Sequence, residues 1–96
     1  MKQACVYILA NKPRGTLYIG VTSDLITRVW QHKNEFVGGF SKQYQLHRLV
    51  YYEMHESMLA AITREKQLKN WNRDWKTKLV EGFNESWVDL YDGITG

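Results

Sequence analysis

A carboxylate in an apolar helical stripe is the residue that most plainly asks for chemistry. Between residues 57 and 70 the apolar positions Met58, Ala61, Ile62 and Leu68 recur at helical spacing. Steps of three or four from Ala61 and Ile62 land on Glu65 before reaching Leu68. An ionised carboxylate seldom occupies such a stripe without a compensating cation or donor. Two partners fit: a salt bridge to Arg28 or a neighbouring lysine, or a bound metal ion. Mg²⁺ keeps several waters and takes only one or two protein carboxylates beside substrate phosphate oxygens, so one glutamate suffices chemically. Arg28 and His32 lie four residues apart and so share a helix face. Tyr7 and Tyr18 fall in strand-like runs, where they serve either as core aromatics or as hydroxyls for a site. Paired carboxylates, a Cys/His metal cluster and a glycine-rich phosphate loop are all missing from the sequence, and Gly38-Gly39 alone makes no motif.

The elements that must position these residues follow from periodicity and capping. The apolar run 4–10 reads as a strand, 11–15 as a turn, and 16–22 as a second strand close enough to pair antiparallel with the first. Whether Tyr7 and Tyr18 then share a face depends on a register that the sequence alone leaves open. Thr22, Ser23 and Asp24 offer caps for a helix over 25–32 with an apolar stripe of Leu25, Ile26, Val29 and Trp30. Residues 34–45 read mostly as loop, and 47–53 as a third strand. Glu56 or Ser57 caps a helix to about Asn70. Asn72 caps a last helix, closed by Gly82 or Asn84, with Trp75, Leu79, Val80 and Phe83 expected to face inward.

Ninety-six residues suit one domain, 1–96, with a core over about 3–84 and an acidic segment 85–96. Lone Cys5, in an apolar run, reads as a buried thiol in a reducing, cytoplasmic setting. The start Met1-Lys2-Gln3 leads into a strand-length segment without the pattern of an export or membrane signal. Every Lys and Arg lies between Lys2 and Lys78. Over residues 1–80 there are 13 basic side chains against Asp24, Glu35, Glu53, Glu56, Glu65 and Asp74, a surplus of seven. Such a surplus suits a polyanionic partner, and equally a lysine-solvated surface.

These residues together resemble the GIY-YIG endonuclease superfamily, in particular its small stand-alone bacterial members, over nearly the whole chain. The first signature reads Cys5-Val6-Tyr7 in place of Gly-Ile-Tyr, and the second is an intact Tyr18-Ile19-Gly20 across the hairpin. The stretch from Gly20 to Arg28 and Gln31-His32-Lys33 is similar to the family's first helix, and Arg64 to Lys69 to its metal-binding helix. Asn84-Glu85-Ser86-Trp87 resembles the terminal asparagine segment, with Glu85 where small members usually carry proline.

The resemblance implies an α+β fold, a three-stranded antiparallel sheet flanked by helices in the order β-β-α-(α)-β-α-α, and hydrolysis of phosphodiester bonds in DNA. It further implies Tyr7, Tyr18, Arg28 and His32 as catalytic residues, and Glu65 as ligand of Mg²⁺ or Mn²⁺. Tyr7, assisted by Tyr18 or His32, would activate or orient the attacking water. Because tyrosine titrates near ~10, that role requires a pKa lowered by the cation or by Arg28. Arg28 suits the charge developing on phosphate oxygens. Lys42, Lys66, Lys69, Arg73, Lys76 and Asn84 are expected to hold the substrate, with Tyr44 or Trp71 stacking on a base. Backbone contacts do not read sequence, so structure-selective or weakly selective cutting is expected. Repair and recombination are both compatible cellular settings. Two other readings stay open: a nucleic-acid-binding module of the same fold without turnover, and a protein-interaction domain with an aromatic surface.

Overall fold

The computed structural model describes residues 3–95; Met1, Lys2 and Gly96, at the ends of the expected domain, lie outside them. Three strands, β1 (Cys5–Ala10), β2 (Leu17–Thr22) and β3 (Arg48–Met54), form one antiparallel sheet in the order β2-β1-β3. Helix α1 (Leu25–Lys33) and the single turn α2 (Phe40–Gln43) precede β3. Helices α3 (Met58–Asn70), α4 (Arg73–Phe83) and the short α5 (Tyr91–Thr95) follow it. The expected α+β architecture therefore holds. The residues named as caps do their work: Asp24, Ser57 and Asn72 each accept a backbone N–H from the first turn of α1, α3 and α4.

The central strand explains the layering. Every residue of β1 is buried, because both faces of the sheet are covered. Val6, Ile8 and Ala10 pack with Ala61, Leu68 and Val80 of α3 and α4, while Cys5, Tyr7 and Leu9 pack with Leu25 and Val29 of α1 and with Leu46. A β-bulge in β3 lets Tyr51 pair with Ile8 and Leu49 with Leu9, so Val50 is the extra residue. That extra residue puts Val50 and Tyr51 together on the α3 face and returns Leu49 to the α1 face.

Several inward positions expected from helical spacing turn outward instead. On α1 only Leu25 and Val29 of the four-residue stripe are buried, since this helix touches the sheet along one narrow line and leaves Ile26 and Trp30 exposed. On α4, Trp75 (54 % exposed) and Phe83 (50 %) cover the rim rather than the core. Trp75 stands edge-on to Trp71, and Phe83 edge-on to Tyr51 and Tyr52, so each aromatic finds a ring partner without being enclosed. The stretch read as loop also contains α2, whose four residues are too few to show a period.

The segment after Asn84 belongs to the fold rather than trailing from it. Trp87 is 2 % exposed in the core on the α3 face, although its backbone takes the left-handed φ of 57°. Leu90 N–H donates to Leu49 O at 2.8 Å, and α5 lies against α1. Asn84 fixes the start of this strap. Its amide donates to Val50 O (3.1 Å) at the bulge and to Val88 O (2.8 Å), and accepts from Val88 N–H (3.2 Å). Both ends of this buried amide, expected at the substrate, are thereby used inside the protein. Asn84→Ala removes the side-chain partner of the buried Val50 carbonyl and of two part-buried Val88 groups, and is expected to cost about 1–3 kcal/mol, read as a lower urea midpoint with unchanged slope.

Candidate active site

Register places the two tyrosines together. Tyr7 pairs with Gly20 and Leu9 with Tyr18, so Tyr18 sits diagonally across from Tyr7 on the α1 face, with ring centroids 6.3 Å apart. Gly20 is the space that Tyr7 occupies: a Cβ there would meet the Tyr7 ring and hydroxyl at 2.5 Å. The glycine of the second motif is thus a steric requirement of the tyrosine in the first.

Helix α1 supplies the third member. His32 is 1 % exposed and lies within 5.8 Å and 5.3 Å, ring to ring, of Tyr7 and Tyr18. Its Nε2 is 3.0 Å from Tyr7 Oη, and its Nδ1 is 2.6 Å from Ser41 Oγ of α2. Arg28, one turn earlier, is half-buried and reaches Gln31 Oε1 at 3.5 Å. Its charge acts on both Tyr7 and His32.

The electrostatics correct one expectation. Burial pushes the Tyr7 phenol well above its usual value, with Tyr18 adding to the effect; Arg28 pulls downward but does not win. In the resting protein Tyr7 is therefore a protonated phenol, since the desolvation of a phenolate outweighs one guanidinium in this setting. Burial, then Arg28 and His47, pushes the His32 imidazole down to about 4, so it is neutral at pH 7.

Helix α3, which carries Glu65 and Lys69, packs against β1 and the edge strand β2. A cavity of about 220 Å³ opens along this edge strand, lined by Leu17, Tyr18, Ile19, Phe40, Lys69 and Lys76. Tyr18 connects the buried cluster to this opening. Glu65, with its side chain only 14 % exposed, pairs with Lys69 at 2.9 Å, which realises the lysine salt bridge weighed from the sequence. The same carboxylate suits a hard divalent ion. Among the described residues no three His, Cys, Asp or Glu side chains gather as a ligand set. An ion at Glu65 would rest on one protein carboxylate, water and phosphate oxygens, a set that Mg²⁺ accepts.

Of the basic residues expected to hold substrate, Lys42 and Lys66 are exposed and Lys69 lines the cavity. Arg73 is otherwise engaged: its guanidinium donates to the Arg14 carbonyl (2.7 Å) and to that of Gly15, clamping the β1–β2 turn. Tyr44 packs on Phe40 at 4.6 Å, and Trp71 lies under Arg64 and beside Trp75. Ser41 and Phe40 were not legible in the sequence. They sit on the one-turn α2, and their only local signal is the preceding Gly38-Gly39, where Gly39 takes a φ of 74°.

Comparison with known proteins shows the family. The family model described as GIY-YIG catalytic domain matches residues 3–78. A UPF0213 protein of Staphylococcus saprophyticus is 32 % identical over 80 residues, covering 83 % of this chain and 96 % of the relative. A UPF0213 protein of Staphylococcus aureus is 33 % identical over 67 residues, covering 70 % and 82 %. No solved structure matches.

The depressed His32 value predicts an acid-sensitive fold. The unfolded imidazole titrates near 6.5 and the folded one near 4, so the unfolded chain binds the extra proton between those values. The stabilisation is complete above about pH 6.5 and is lost as the pH falls toward 4, by about 3 kcal/mol in all. Urea unfolding at a series of pH values should show this slope in the wild type and a flatter one in His32→Gln.

Proposed function

Because the chain belongs to the GIY-YIG family of nucleases, we propose that it is a divalent-metal-dependent endonuclease that hydrolyses phosphodiester bonds in DNA. The observation that carries this reading is the buried Tyr7–His32 pair, under the field of Arg28, packed against Tyr18, which itself lines a cavity shared with Lys69 and Lys76. A hydroxyl cluster alone is compatible with plain packing. Its placement at the edge strand beside two cations is what a phosphodiester substrate requires.

In this reading the lysines receive the backbone, and the scissile phosphate enters between Arg28 and Glu65. Lys69 leaves Glu65 for a phosphate oxygen, freeing the carboxylate to ligate Mg²⁺ or Mn²⁺. The ion, when bound, supplies Lewis-acid polarisation of the phosphate and stabilises the leaving oxygen. Arg28 balances the charge that grows on the non-bridging oxygens, and its planar fork suits two of them. Tyr7 addresses the water. Its raised pKa means that it orients the nucleophile as a neutral phenol at rest, and that it becomes a base only when the cations of the loaded site add to Arg28. Tyr18 links that hydroxyl to the open cavity. The lysines address backbone rather than base edges, which supports structure-selective or weakly selective cutting, compatible with work in repair or recombination.

The test is cleavage of labelled duplex, branched and single-stranded DNA and of RNA with Mg²⁺ or Mn²⁺, comparing the wild type with Glu65→Gln and Tyr7→Phe. Both variants should remain folded and lose at least about 100-fold in rate. Salt-dependent binding without cleavage in the wild type would instead favour a binding module of the same fold.

A further inference from the structure

The mechanism uses His32 as a partner of Tyr7 but leaves open which of its nitrogens carries the proton, and Ser41 has so far only been located. A neutral imidazole has one N–H and one lone pair, so its two hydroxyl partners cannot play the same role. Either Nδ1–H donates to Ser41 and Tyr7 donates to Nε2, or Ser41 donates to Nδ1 and Nε2–H donates to Tyr7. The two arrangements differ in what becomes of the remaining hydroxyl hydrogens.

Ser41 decides between them. It is 2 % exposed, and among the described residues its hydroxyl has one hydrogen-bond partner, His32 Nδ1 at 2.6 Å. If Ser41 accepted from Nδ1–H, its own hydrogen would be buried without an acceptor, which proteins rarely tolerate. If Ser41 donates, its hydrogen is used, Nδ1 is the acceptor, and the imidazole proton must sit on Nε2, 3.0 Å from Tyr7 Oη. The Tyr7 hydrogen is then directed away from His32, on the side where the Tyr18 ring lies, 6.3 Å away between centroids. The buried Ser41 hydrogen is satisfied only in this direction.

We infer that Ser41 is a positioning residue that fixes His32 as its Nε2–H tautomer, so that the imidazole donates a hydrogen bond to the Tyr7 oxygen. The consequence for catalysis rests on the reading of Tyr7 as the residue that addresses the water. A fixed donor on the phenol oxygen stabilises the negative charge that oxygen must carry to act as a base. The donors run outward in order, from Ser41 to His32 to the Tyr7 oxygen. Tyr7 accordingly gives up its proton to solvent on the Tyr18 side, where Tyr18 lines the open cavity. It does not pass it inward to an imidazole that sits beside Arg28 and resists a second proton.

The experiment is ¹⁵N NMR of the histidine ring nitrogens at neutral pH in wild type, Ser41→Ala and Ser41→Thr, paired with steady-state kinetics on the best substrate. Wild type and Ser41→Thr should show His32 protonated at Nε2, and Ser41→Ala a mixture of tautomers. kcat should fall at least about tenfold in Ser41→Ala with KM unchanged, and recover in Ser41→Thr. His32 protonated at Nδ1 in the wild type would overturn the inference without any variant being needed. A tautomer unchanged in folded Ser41→Ala would overturn it equally. The NMR result is independent of cleavage, so failure of the nuclease reading and failure of the tautomer assignment are separately visible.

Discussion

A phenol and an imidazole share a hydrogen bond in the interior of this protein, and most of the architecture exists to make that possible. Tyr7 enters from the central strand and His32 from the last turn of α1. For them to meet, strand β1 must be covered on both faces, Gly20 must leave its side-chain volume to the Tyr7 ring, and α2 must bring Ser41 to the far nitrogen. Burial makes the contact consequential. It keeps Tyr7 protonated and His32 neutral, so the resting site holds two polar groups and no formal charge at its centre, with Arg28 as the flanking cation.

The residues of the proposed site come from both faces of the sheet. The hydroxyls come from the α1 side, while Glu65 and its partner Lys69 come from α3 on the other side. In the proposed reading the two sets address one ligand at the edge strand, because β2 has no strand beyond it among the described residues. The charge distribution also differs in space from its distribution along the chain. Two of the acidic side chains after residue 80 fold back onto basic ones, Glu81 onto Arg14 at 2.7 Å and Asp89 onto Lys33, so the C-terminal segment neutralises part of the basic surface while strapping β3 to α1. Lys69 and Lys76 line the cavity, apart from those two pairs.

Much of this was readable from residue types. The three strands, the caps at Asp24, Ser57 and Asn72, and the anomalous placement of Glu65 follow from local rules that depend on a few neighbouring positions. Arg28 and His32 on one face follow from helical spacing. What escaped the sequence depends on long-range packing. The facing of Tyr7 toward Tyr18 is set by pairing register, and the rotation of α4 that exposes Trp75 and Phe83 by which edge of the sheet it covers. Asn84 was legible as a residue closing the last helix, but its bond to the Val50 carbonyl depends on the bulge in β3. Ser41 lies nine residues from His32 along a stretch without periodicity, so no local pattern could pair them.

The central claim is that one phosphodiester is bracketed by Arg28, Glu65 and the Tyr7 hydroxyl at the β2 edge. A crystal structure of Glu65→Gln, made inactive so that substrate survives, with a short DNA and Mn²⁺ tests it most directly. The account predicts a phosphate on the Arg28 guanidinium, with a water within hydrogen-bond reach of Tyr7 Oη and the flanking backbone on Lys69 and Lys76. DNA seated on another face, with Tyr7 and His32 still closed off from it, would contradict the assignment.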